Sequence, residues 1–165
     1  GNVDIRDVLD PLIDAVRDPI ERGCTTEGGM ILRHGFDRPC YVIGQASRLA
    51  QVFDNLISNA VSFSPAGQPI TVTIDAMDKD GDGMIRIMVE DCGPGIPETR
   101  LNKIFDRFYS ERPVAEDFGL HSGLGLSIAR QIVESHGGTL WAENRKDAGG
   151  HVIGARFIAR LREAL

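Results

Sequence analysis

At 165 residues with 42% hydrophobic content, the chain is long enough for one globular domain with a sizeable core. Its formal net charge of −6 argues against a nucleic-acid surface, which needs a basic face. No apolar run is long enough to span a bilayer, no signal-peptide pattern opens the chain, and Cys24, Cys40 and Cys92 show no C-x-x-C spacing, which fits a reducing compartment without a Cys-rich zinc site.

Ile5, Val8, Leu9, Leu12, Ile13 and Val16 recur at helical spacing, with Pro19 near the expected stop. A Gly/Thr loop follows over 23–29. Residues 30–34 and 41–43 are predicted as short strands joined by a turn near Asp37-Arg38-Pro39. Leu49, Val52, Phe53, Leu56, Ile57 and Ala60 give the clearest amphipathic helix, over 47–62, ended by Ser64-Pro65-Ala66-Gly67. Ile70, Val72, Ile74 and Ala76 alternate with polar residues, as do Ile85, Ile87 and Val89, which predicts a hairpin about Asp80-Gly81-Asp82-Gly83. A short apolar helix is expected over 101–108, then a loop over 110–122. A helix over 126–135 stops at Gly137-Gly138, and a last pair of strands covers 139–142 and 152–161. The pattern predicts an α/β fold, a two-layer sandwich with a mixed, mostly antiparallel sheet and helices on one face. We expect a single domain over 1–165, and the opening Gly1-Asn2 is expected of a fragment of a longer protein.

Two separated segments fit together chemically: Asp91-Cys92-Gly93-Pro94-Gly95-Ile96 and Gly123-Leu124-Gly125-Leu126-Ser127-Ile128. A carboxylate at a strand end accepts a hydrogen bond from an exocyclic amine such as that of adenine, and Gly93 and Gly95 let backbone approach a ring closely. A Gly-x-Gly leading into a helix suits a phosphate chain, because free N–H groups at a helix start attract anions. Upstream, Gln51, Asn55 and Asn59 fall at i, i+4 and i+8 on one helix. Two amides on one face suit a metal ion carried by phosphates, although a solvated polar face explains them equally well in isolation. A plain turn after a strand would likewise account for Asp91 to Gly95 taken alone. Neither Gly-rich segment completes G-x-G-x-x-G, since Glu98 and Ile128 stand at the third position, and no Walker A sequence occurs. Asp78-Lys79-Asp80-Gly81-Asp82-Gly83 imitates the opening of an EF-hand loop, yet its twelfth position is Val89 where a bidentate Glu is required.

In order along the chain, Asn55-Leu56-Ile57-Ser58-Asn59-Ala60, Asp91-x-Gly93-x-Gly95-Ile96, Ile104-Phe105-Asp106-Arg107-Phe108-Tyr109 and Gly123-Leu124-Gly125-Leu126-Ser127-Ile128-Ala129 resemble the N, G1, F and G2 boxes of bacterial sensor histidine kinases. His136-Gly137-Gly138 and Gly154-Ala155-Arg156-Phe157 are similar to the closing strands of that family. The resemblance spans most of the chain and implies the Bergerat fold of the catalytic ATP-binding domain, within the GHKL superfamily. It implies ATP and Mg²⁺ as ligands: Asp91 on the adenine amine, Phe63 near the ring, Gly93, Gly95 and Ile96 in the ring-binding turn, and Asn59 on the metal. Asn55 would support the phosphates, and Gly123, Leu124, Gly125 and Leu126 would present backbone amides to them. Residues 110–122 would form the lid, with Arg107 and Arg112 reaching the γ-phosphate. The implied partners are the protein's own dimerisation and phosphoacceptor domain and a response regulator, with neither nucleic acid nor direct membrane contact by this domain. The parent protein is expected in the bacterial inner membrane with this domain in the cytoplasm.

Three departures bear on affinity. Ser62 stands where many members carry Lys, Cys92 where Asn is common, and Ser110 where Arg is frequent, so weaker nucleotide binding is expected. None of His34, His121, His136 and His151 lies in a His-Glu-x-x-Thr/Arg-Pro helix, so the acceptor histidine is not expected in this chain. The rival readings are an ATPase of the gyrase, mismatch-repair or heat-shock kind, a serine kinase of the anti-sigma-factor type, and a degenerate signalling domain. The ATPases carry a Glu one turn before the metal Asn to activate water; Asn55 stands there, and an amide cannot take a proton.

Overall fold

The computed structural model describes residues 1–21, 31–76, 81–107 and 125–164. Elements run β1 (Asn2–Asp4), α1 (Ile5–Glu21), β2 (Ile31–His34), β3 (Tyr41–Ile43), α2 (Ala46–Phe63), β4 (Ile70–Asp75), β5 (Met84–Glu90), α3 (Gly125–Ser135), β6 (Thr139–Lys146) and β7 (Val152–Arg162). The five-stranded sheet has the order β2-β4-β5-β7-β6. Only β2 and β4 run parallel; the other pairs are antiparallel. The α2 crossover between β2 and β4 supplies the length that a parallel pairing needs. With α2 packed between α1 and α3 and the helices on one face, this is the expected two-layer sandwich with a mixed, mostly antiparallel sheet.

The core follows from the two periodicities. Leu49, Val52, Phe53, Leu56, Ile57 and Ala60 are all buried on α2. They meet Ile70, Val72 and Ile74 of β4, Ile85, Ile87 and Val89 of β5, and Ala155, Phe157, Ala159 and Leu161 of β7 in one cluster. The polar face of the sheet is laced by ions instead: Arg156 reaches Glu90 at 2.9 Å and Glu143 at 3.3 Å across three neighbouring strands.

Four local expectations differ from the structure. The segments 30–34 and 41–43 do not pair with each other: β2 joins the main sheet, whereas β3 pairs with β1, a strand that the amphipathic reading of the N-terminus left out. Gly35, at φ +83°, turns the chain away there, lying so close to β4 that a Cβ would stand 2.0 Å from the Ile74 carbonyl oxygen. The predicted helix over 101–108 is replaced, among the described residues, by a 3-10 turn at Lys103–Phe105, preceded by another at Glu98–Arg100. Adjacent Ile104 and Phe105 are both buried, which tight turns allow. Finally, α1 continues through Pro19 to Glu21, and β6 runs on to Lys146 because its charged second half is held by ion pairs and not by apolar burial.

Candidate nucleotide site

Asp91 follows β5 directly, where β5 and β7 are still paired. It is 2% exposed. Its Oδ1 accepts from the backbone N–H of Gly93 at 2.9 Å and of Ala155 at 3.0 Å, while its own N–H donates to the Ala155 carbonyl at 3.0 Å. Its carbonyl accepts from Arg145 Nη1. Oδ2 makes no hydrogen bond among the described residues. Burial pushes the Asp91 carboxyl above its ordinary value, against the lowering by the Ala155 and Gly93 N–H groups and by Arg145. A nearly buried carboxylate with one saturated and one open oxygen is a directional acceptor, and it fits an exocyclic amine.

The close fit around Asp91 depends on two glycines. A Cβ at Gly154 would stand 1.9 Å from the Asp91 carbonyl oxygen, and one at Gly93 would stand 2.7 Å from the Phe63 carbonyl oxygen. Gly93 therefore lets the turn settle on the end of α2, beside half-buried Phe63. Gly95, at φ +79°, is packed against Val152 and Asn144. Asn144 holds the next residue at both ends: Oδ1 accepts from Ile96 N–H at 2.7 Å and Nδ2 donates to the Ile96 carbonyl at 2.7 Å. Asn144, Arg145 and Gly154 were missed in the sequence because their roles exist only through cross-strand approach; the Gly154-Ala155 pair was the one available signal.

On α2, Asn55 and Asn59 are half-buried and share a face with exposed Gln51. Asn55 Nδ2 donates to the Gly125 carbonyl at 3.2 Å, at the first residue of α3. A Cβ at Gly125 would come within 3.0 Å of Asn55 Oδ1, so the glycine permits this contact. Asn59 makes no hydrogen bond among the described residues, leaving its carbonyl oxygen available to a hard cation. No group of three or more His, Cys, Asp or Glu able to hold a metal occurs among the described residues, so a metal here would depend on oxygen donors of the ligand as well. Leu126 is half-buried on the first turn of α3. Phe105, from the third motif, packs edge-on against Phe157 with ring centroids 6.2 Å apart, and the Arg130 guanidinium of α3 lies 4.6 Å over its ring. Arg107 is exposed just beyond it. Gly123, Leu124 and Arg112, with the expected lid over 110–122, lie outside the described residues, as does the first half of the EF-hand-like run, residues 78–80.

Comparison with known proteins shows the family of the chain. Residues 44–165 match the family described as Histidine kinase-, DNA gyrase B-, and HSP90-like ATPase, and the chain belongs to that family. Within it, the chain is a catalytic ATP-binding domain of the histidine-kinase type, with the Bergerat fold. It is 49% identical over 121 residues to Sensor protein ChvG of Agrobacterium fabrum strain C58, covering 73% of this chain and 20% of that protein. It is 44% identical over 129 residues to Sensor protein ChvG of Rhizobium meliloti strain 1021, with the same coverage of 73% and 20%. The chain thus spans about a fifth of the length of these curated relatives. The structure resembles Mycobacterial sensor histidine kinase MprB with a TM-score of 0.78 at 28% identity, over 99% of this chain and 97% of that one. Members of this family characteristically bind ATP and Mg²⁺. Among the described residues no helix is long and apolar enough to cross a membrane.

Proposed function

We propose that this domain, 1–165 as a single unit, binds ATP·Mg²⁺ and donates the γ-phosphate to a histidine on the dimerisation domain of a longer sensor kinase. The observation that carries the kinase reading is Asn55. Its carboxamide is tied to Gly125 at the start of α3, where the resemblance puts the phosphates, and an amide there orients without activating water. Adenine binding is supported by Asp91, whose open oxygen accepts from the ring amine, with Phe63, Gly93, Gly95 and Ile96 forming the wall beside it. Asn59 supplies a metal ligand, and Mg²⁺ contributes neutralisation of the phosphate charge. Gly125 and Leu126, with Gly123 and Leu124, present amides to the phosphates, and Arg107 and Arg112 stabilise the charge on the transferred group.

In this reading the longer protein is a homodimer anchored in the bacterial inner membrane, this domain is cytoplasmic, and a response regulator receives the phosphoryl group. The test uses radiolabelled ATP. Alone, the chain should bind ATP and hydrolyse it very slowly; with its own dimerisation domain added, acid-labile and base-stable phosphate should appear on that domain. Rapid hydrolysis without any acceptor would favour the ATPase reading, and failure to bind ATP would favour the degenerate one.

A further inference from the structure

His136 stands at the far end of α3 from the nucleotide site, and both of its ring nitrogens are committed. Nδ1 lies 2.8 Å from the Ile132 carbonyl oxygen, and Nε2 lies 3.2 Å from the backbone nitrogen of Gln45. A carbonyl only accepts and a backbone N–H only donates, so the proton sits on Nδ1 and the lone pair on Nε2. Gln45 is the N-cap residue of α2, and α2 begins with no side-chain cap. The imidazole therefore fills one of the orphan donors at the start of that helix. A Cβ at Gly44 would stand 2.4 Å from His136 Cδ2, so glycine lets the chain run flat against the ring.

This contact pairs with the Asn55–Gly125 hydrogen bond. From Gln45 to Asn55 is about 15 Å along α2, and from Gly125 to His136 is about 16 Å along α3, at 1.5 Å per residue. The two helices are antiparallel neighbours tied twice, at His136 where α2 starts and α3 ends, and at Asn55, midway along α2, where α3 starts. We propose that His136 is a positioning residue: as the neutral Nδ1–H tautomer it ties the start of α2 to the end of α3, and thereby sets how Asn55 meets Gly125. This rests on the nucleotide-site reading above only for its effect on binding.

Protonation would aim Nε2–H at the Gln45 N–H, donor against donor, and release the tie. The ring borders a cleft of about 1210 Å³ also lined by Arg38, Arg48, Arg162 and Glu163. Ser135 Oγ lies 3.4 Å from Nδ1, Gly1 accepts from the N–H of Gly44, and Glu134 on α3 pairs with Arg130.

The test begins with the nucleotide-free 165-residue chain. Nitrogen NMR of the ring at pH 8 should show Nδ1 protonated and Nε2 bare. On acidification, the Gln45 amide, the Asn55 side-chain amide and the Gly125 amide should shift with one shared midpoint, that of the His136 ring. Affinity for a non-hydrolysable ATP analogue should fall about fivefold over the same midpoint, the order of one net hydrogen bond. His136→Gln offers an acceptor and a donor at similar separation without titrating, so it should keep the affinity at pH 8 and lose that midpoint. A protonated Nε2 at pH 8, Asn55 and Gly125 signals that ignore the ring, or a midpoint that persists in His136→Gln would each overturn the proposal. A chain that shows the tautomer and the shared midpoint yet binds no nucleotide would overturn the nucleotide reading while leaving the tie intact.

Discussion

Replacing Asp91 by Asn changes one atom on the side that faces the ligand. Oδ1 keeps both backbone donors, Gly93 and Ala155, when the new amide nitrogen takes the place of Oδ2. The fold should therefore survive, with stability within roughly 1 kcal/mol of the parent, since a desolvated charge is removed along with nothing else. Binding should not survive. The open acceptor becomes a donor facing the donor amine of adenine, which removes a charge-assisted hydrogen bond of about 1.5–3 kcal/mol, or about ten- to hundredfold in affinity. Guanine presents an acceptor oxygen where adenine presents the amine, so discrimination against GTP should collapse. Asp91→Ala should behave differently, stranding two buried N–H groups and costing about 2–4 kcal/mol of stability. The carboxylate also sets a pH limb. Its pKa is raised by burial, so the ionised acceptor is lost as pH falls through a value higher than that of an ordinary aspartate, and ATP affinity should fall there and be flat in Asp91→Asn. Calorimetric titration with ATP and GTP, alongside thermal melting, reads all of this. Unchanged ATP affinity in a folded Asp91→Asn protein would refute the assignment.

Asn59→Ala should remove most of the Mg²⁺ enhancement of nucleotide binding while leaving metal-free binding in place; titrations with and without Mg²⁺ decide it, and full retention of the enhancement would place the ion elsewhere. Asn144→Ala frees both the N–H and the carbonyl of Ile96, and should cost about 1–3 kcal/mol in urea unfolding, with the slope unchanged.

The sequence was most readable where one periodicity dominates. The α2 stripe and the alternation of β4 and β5 appear in the structure as expected, because each buries one face against one layer. Legibility failed where partner choice is tertiary. Nothing local in β2 or β3 says that one runs parallel to β4 and the other pairs with β1; the close approach of Gly35 to Ile74 exists only once β2 is docked on β4. The second half of β6, Glu143-Asn144-Arg145-Lys146, resembles a charged loop, yet each of its members has a partner across the sheet or in the turn after β5. The same reason hid the supports of the site. Asp91 was visible as a carboxylate before Gly-x-Gly, whereas Asn144, Arg145 and Gly154 act on it or its turn from more than fifty residues away in sequence or across two strands.

Asn55 joins these themes, because what it does not do chemically depends on what it does structurally. The amide is a donor in use: Nδ2 holds the Gly125 carbonyl, and the absent Cβ of Gly125 leaves room for Oδ1. A carboxylate in the same place has no proton to give. Its oxygens would face a carbonyl oxygen at hydrogen-bond distance, and α3 would have to move away from α2 to relieve the repulsion. Here the helix pair is built around an amide, tied again through His136 where α2 starts, and the Asn55 carboxamide has no basic group with which to take a proton. Such a site suits a reaction in which the nucleophile, with its own basicity, arrives from another domain.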